Sequence, residues 1–260
     1  MTVQGDKLPT MIKRTLIILT SVALFVFLNA CSSRQDIYIS DTGEGSVSID
    51  INLDNMLTSY AGDLLGGFSS VEAEDINLFD THKISNIISE LESVSLTDIT
   101  SGSSEILHLE LDFMDPGKVF DKSETSGARD LISFSSRPEG SKNRKKISLY
   151  LSKDNFNTAL ALVGMKDSEI LDTFGPQDNP YTETEYLDLM DFLFEEYETS
   201  SKIRSTIKSS EVLINLKVDG HIVNCDGCTK SETESSVQIK IPLLDIVTLE
   251  KPIEIIVEWE

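Results

Sequence analysis

Apolar and polar positions change period several times along this chain. Glu44–Asp54 gives the clearest strand signal: Val47, Ile49, Ile51 and Leu53 point one way, Ser46, Ser48, Asp50, Asn52 and Asp54 the other. Ile37 and Ile39 start a similar alternation. Asp54 or Asn55 then caps a helix whose stripe is Met56, Leu57, Tyr60, Ala61, Leu64 and Leu65, ended by Gly66-Gly67. After a mixed loop, Ile84, Ile87, Ile88 and Leu91 mark a second helix. Strands follow near Val94–Ile99 and over Glu105–Phe113, where Leu107, Leu109, Leu111 and Phe113 face one side and His108, Glu110 and Asp112 the other. Leu131–Ser135 and Lys146–Leu151 read as two strands around a Pro/Gly/Asn-rich tip.

A helix with Phe156, Leu160 and Val163, a short one at Asp167–Phe174 and a turn-rich linker lead to the strongest helix signal, Glu183–Glu198. Thr182 and Glu185 have the spacing of a capping box, and Tyr181 and Tyr186 that of a hydrophobic staple. Tyr186, Leu187, Met190, Leu193, Phe194 and Tyr197 form its apolar face. Val212–Val218, Val237–Ile241 and Ile253–Trp259 alternate as strands. Asp219-Gly220 reads as a two-residue hairpin turn into a return strand at Ile222 and Val223. This order predicts one α+β domain over residues 37–260, an antiparallel sheet with helices packed on one face and a C-terminal β-meander.

The N-terminal region follows another pattern. Lys13 and Arg14 precede an apolar run, Leu16–Leu28, broken only by Thr20 and Ser21. As a helix at ~1.5 Å per residue it spans about 20 Å, short of the roughly 30 Å of a hydrocarbon core. It reads as the core of a secretory signal, with Met11 a natural start. Leu28-Asn29-Ala30-Cys31 resembles the lipobox of bacterial lipoproteins. The resemblance implies removal of residues 1–30, acylation of the Cys31 thiol and new amino group, and a membrane partner held through that anchor in the cell envelope. It covers only this N-terminal stretch. Ser32 resembles an outer-membrane sorting signal of many Gram-negative bacteria. Residues 31–36 read as a short tether that keeps the domain near its bilayer.

Residues 1–30 hold three of the 22 basic and one of the 44 acidic residues, which leaves 19 and 43 and a net charge of −24. Such a surface argues against nucleic acid as a partner. Five of the remaining cations, Arg137, Lys142, Arg144, Lys145 and Lys146, crowd the tip between two strands. That tip reads either as a solvated hairpin end or as a basic finger for lipid headgroups or an acidic partner.

Cys225-Asp-Gly-Cys228 admits three readings: a structural disulfide, a redox pair, or a zinc site joined by His221. The disulfide fits best, because a strand precedes the pair and no apolar helical stripe follows it. His108 reads as a cross-strand histidine or a base. Asp50, Asn52 and Asp54 begin like a calcium loop, but Asn55 and Ala61 stand where Gly and Glu are required. No catalytic triad, phosphate-binding glycine loop, metal motif or cofactor signature is found. The reading is therefore a non-catalytic, membrane-anchored protein that binds a protein partner or an apolar ligand. The alternative is an envelope hydrolase using a carboxylate pair.

Overall fold

The computed structural model describes residues 31–68, 79–89, 93–103, 105–115, 131–140, 142–162, 175–176 and 180–260. The signal segment, the helix expected at Asp167–Phe174 and the polar stretch Lys122–Asp130 lie outside these residues. The elements are β1 (Cys31–Ile39), β2 (Gly45–Leu53), α1 (Asn55–Phe68), α2 (Thr81–Ser89), β3 (Val94–Ser103), β4 (Ile106–Phe113), β5 (Ile132–Glu139), β6 (Lys142–Leu151), α3 (Lys153–Leu162), α4 (Glu183–Phe194), α5 (Ser200–Ser209), β7 (Glu211–Val218), β8 (Ile222–Asp226), β9 (Thr229–Lys230), β10 (Ser236–Pro242), α6 (Leu243–Thr248) and β11 (Ile253–Trp259).

The fold is α+β, with two sheets. The large one has the order β3-β4-β2-β1-β7-β10-β9, the small one β5-β6-β11-β8. All neighbours are antiparallel except β1 and β7, which run parallel from Ser33↔Val212 to Ile39↔Val218. One apolar core joins the sheets. It combines Ile39, Ile49, Leu109, Leu216 and Val218 from the large sheet with Leu151, Ile222, Ile255, Val257 and Trp259 from the small one. Helices α2 and α3 pack into the same core through Ile88 and Phe156, beside the second sheet. Helices α1, α4, α5 and α6 build a core of their own from Met56, Tyr186, Leu187, Met190, Phe194, Ile203, Ile207, Leu243 and Val247.

Three expectations need correction. The segment read as a tether is strand from its first residue: Cys31 pairs with Leu53, and Arg34 with Asp50. Ser33 and Gln35 occupy the inward positions of β1 at 2% and 5% exposure, so polar residues conceal the alternation. The terminal meander is split, because β7 and β10 pair in the large sheet while β8 and β11 pair in the small one. Asp219-Gly220 is accordingly a corner between sheets and not a hairpin turn. The Asp219 N–H donates to the Ile39 carbonyl at 2.9 Å, and His221 and Glu260 exchange backbone hydrogen bonds. Gly220 has φ 150°, and a Cβ there would lie 2.7 Å from the Glu260 carbonyl oxygen.

Helix α4 starts as its sequence requires. The Glu185 N–H donates to the Thr182 hydroxyl at 3.3 Å, and the Thr182 N–H donates to the Glu185 carboxylate at 2.8 Å. Thr182→Ala is expected to cost about 1 kcal/mol, read as a fall in the denaturant midpoint. The helix stops at Phe194, earlier than expected, and α5 follows after a short turn.

Candidate functional site

The outward residues of β1, β2 and β4 form a trough of about 730 Å³ on the face of the large sheet turned away from the small one. Its floor is Ser46 and Ser48. Register sets the walls: Ser48 stands between Asp36 and Glu110, and Ser46 between Tyr38 and Asp112. Small side chains on the middle strand and long ones on both neighbours leave the depression. Two strand spacings of about 4.8 Å place the walls roughly 10 Å apart, the width of an extended chain.

The β1 wall is internally paired. Arg34 Nε donates to Asp36 Oδ2 at 2.8 Å, and Asn215 Nδ2 to Asp36 Oδ1 at 2.7 Å. Burial works to raise the Asp36 carboxyl, but the bonds from Arg34 and Asn215 outweigh it and hold it below its ordinary value. Gln238 extends the ladder to Asn215 at 3.2 Å. Tyr38 donates its hydroxyl to Asp219 at 2.8 Å, which raises its pKa, and Lys217 Nζ sits 6.0 Å from its ring centroid.

The β4 wall is acidic. Asp112 accepts from the Thr97 hydroxyl at 3.1 Å. Glu110 has His108 Nε2 at 3.5 Å. Among the described residues, neither acid forms an ion pair with a Lys or Arg. The trough therefore has one wall compensated by Arg34 and one whose acids, among the described residues, meet only His108 and the Thr97 hydroxyl.

His108 lies next to the trough, with Nδ1 2.7 Å from Asp50 Oδ1. That hydrogen bond, with the nearby charges of Asp50 and Glu110, raises the imidazole above its ordinary pKa of 6.5 against a smaller burial effect. A raised folded value stabilises the protein fully below the unfolded pKa, and this is lost as pH rises through the folded one. The midpoint difference between wild type and His108→Gln is thus expected to be largest below about pH 6.5 and to shrink above it. A pH-independent difference would show that the imidazolium makes no such contribution. Asp50, the first acid of the calcium-like run, is occupied by this contact, while Asp54 caps α1 by accepting from the Met56 N–H at 3.0 Å. These residues lie along β2 and its end, not in a loop.

Cys225 and Cys228 are joined by a disulfide, with Cα atoms 5.7 Å apart. They link the end of β8 to the start of β9, and both are half-buried against the main core. Gly227 between them has φ 68°, and a Cβ would lie 2.4 Å from the Glu254 carbonyl oxygen. His221 Nδ1 faces Glu234 at 3.3 Å.

The basic tip is the β5–β6 hairpin. Lys142 pairs with Glu260 at 3.0 Å, and Arg144 with Glu139 at 2.8 Å. Lys145 Nζ donates to the carbonyls of Asp41 and Ser40 in the β1–β2 turn. These contacts hold the hairpin at the end of β1 opposite Cys31. Arg137 is exposed, and Lys146 half-buried. Sequence reasoning placed the outward residues of β2 and β4 correctly but missed the trough, because its walls come from residues far apart in the chain.

A second cleft, of about 480 Å³, lies beside α6 and the start of β11 and includes Glu183, Asp245, Glu250 and Lys251. Burial first, then Glu183 and Glu250, raise the Asp245 carboxyl above its ordinary value. Among the described residues no group of three or more His, Cys, Asp or Glu side chains is placed to hold a metal ion.

No family model matches the chain, and no curated protein sequence does. Among solved structures, the folded domain of the Mycobacterium tuberculosis LppM protein, determined by NMR, aligns with 89% of this chain and 90% of that chain at 7% identity and a TM-score of 0.36. At that distance no property of the LppM domain is carried over to this chain.

Proposed function

We propose that this chain is a lipid-anchored protein of the bacterial envelope that binds, without catalysis, an extended basic segment of a partner protein in the trough. The observation that carries the binding is the asymmetry of the walls. Arg34 and Asp36 satisfy each other, whereas Glu110 and Asp112 present carboxylates to a groove of peptide width. A Lys or Arg side chain above the serine floor would meet both acids. The anchor rests on the lipobox-like Leu28–Cys31 and the apolar run before it. An apolar ligand finds less support, since the space between the sheets is occupied by the side chains of the shared core.

Photocrosslinking in cells tests the binding. A photoreactive phenylalanine analogue at Ser48 should yield an adduct of discrete mass, and the same residue at exposed Glu232 should not. Adducts from Arg137 alone would move the contact to the hairpin tip, and equal adducts from Ser48 and Glu232 would contradict the trough.

The hydrolase reading keeps one specific observation, the raised carboxyl of Asp245 beside Glu183 and Glu250. A carboxyl raised by burial beside two further carboxyl groups in a cleft is the starting arrangement for a general acid and its partner. Release of soluble fragments from envelope glycan by wild type and not by Asp245→Asn would favour it.

A further inference from the structure

We infer that the domain stands with its strands along the bilayer normal, resting on lipid headgroups with the end of the large sheet that carries Cys31. This inference rests on the proposed acylation of Cys31 and adds to it an orientation and a contact surface.

The argument starts from the register. Cys31 is itself a strand residue, paired with Leu53, so the chain has no slack between the acylated residue and the fold. A tether of several residues would let the domain tumble, but a sheet that begins at the anchor does not. Strand β1 then runs nine residues to Ile39, roughly 26 Å at about 3.3 Å per step. The two poles of the molecule are therefore fixed by β1.

At the Cys31 pole lie the end of β2, the start of α1, the end of α5 and the start of α6. The Leu243 N–H donates to the Ser210 carbonyl at 2.9 Å, which brings α6 to that end as well. The rim next to Cys31 is formed by Ser32, Asn52, Asp54, Glu105 and Lys202. Ile106, the register partner of Asn52, adds an apolar side chain that is 46% exposed. One isoleucine within a polar rim suits the boundary between headgroups and acyl chains. With Asp54, Glu105 and Glu198 against Lys202, the rim suits zwitterionic lipid and not a strongly anionic surface.

The opposite pole holds the β1–β2 turn, the Asp219 corner, Glu260 and the basic hairpin. The contacts of Lys145 with the Ser40 and Asp41 carbonyls and of Lys142 with Glu260 fix the hairpin there. Its cations consequently face away from the membrane that holds Cys31. The trough, running along β2, opens sideways, so a partner reaches it laterally within a strand's length of the bilayer.

The anchored protein offers a clean probe site. With Cys31 acylated and Cys225 and Cys228 bonded to each other, a newly introduced cysteine is the one reactive thiol. Full-length lipidated Ile106→Cys, Asn52→Cys and Thr42→Cys would each carry an environment-sensitive dye. They would be placed in phosphatidylcholine–phosphatidylethanolamine vesicles that hold a shallow nitroxide quencher. The orientation predicts strong loss of fluorescence at 106 and 52, and at 42 no more loss than in quencher-free vesicles. Asn52→Cys keeps the test alive if the Ile106 variant does not fold. Acylated protein that floats with the vesicles but is quenched equally at all three sites, or more at 42, overturns the orientation alone. Full-length protein that carries no acyl chain on Cys31 when isolated from lipoprotein-processing cells overturns the anchoring, and the orientation with it.

Discussion

Replacing Trp259 by Ala is expected to cost roughly 3–5 kcal/mol, a large share of the about 5–15 kcal/mol that holds a domain folded. Trp259 is fully buried and is the single tryptophan of the chain. It pairs with Lys145 on β6 and Ile222 on β8, and its ring stands 6.1 Å from that of Phe134. It thus fills the space between the sheets at the corner where β7 gives way to β8. Truncation leaves a cavity that the surrounding strands cannot close, because their registers are fixed by ladders on both sides. Among the described residues the indole N–H finds no acceptor. Trp259→Phe removes that unpaired donor along with part of the ring, so it should cost far less than the alanine variant. Urea denaturation of both variants checks the ranking. Equal losses would show that ring volume is not what the core requires.

Phe194→Ala should also cost roughly 3–5 kcal/mol, in the other core. Phe194 is 1% exposed at the end of α4 and meets the Tyr60 ring edge-on at 5.2 Å. Around it stand Ile203 and Ile207 from α5 and Leu243 from α6. Losing the ring therefore separates α1 from α4 and weakens the seat of α5. Phe192, two residues earlier, is 70% exposed, and Phe192→Ala should stay within about 0.5 kcal/mol of wild type. Denaturant midpoints compare the pair directly. A larger loss for Phe192 would mean that α4 is rotated relative to the core.

The contrast between α4 and α5 shows what the sequence could reveal. Helix α4 announces itself through a capping box, two tyrosines at staple positions and a broad apolar stripe, all within one stretch. Helix α5 has only Ile203 and Ile207 at its apolar positions, four residues apart among Ser, Lys, Arg and Thr, so no stripe appears. Its polar face is held by Arg204, which bonds to Asp191 at 2.6 Å and to Asp188 on α4. Two acids of α4, Asp188 and Asp191, thus fix its neighbour.

The strands divide in the same way. β2 and β4 alternate cleanly and were legible, registers aside. The first half of β1 was not, because Ser33 and Gln35 take inward positions where a pattern reader expects apolar side chains. The Asp219-Gly220 corner was misread because its local chemistry is that of a tight turn. The contacts that set it, with Ile39 and Glu260, come from distant parts of the chain. The trough shares this origin: serines on one strand and acids on another become walls and floor only through pairing.

The most direct test of the account is the mass of the N-terminal peptide of the protein isolated from the envelope fraction. The account predicts a peptide that begins at Cys31 and carries acyl chains on that residue, and its disappearance in Cys31→Ser. A peptide that retains residues before Cys31, or one that begins there with an unmodified thiol, would contradict it.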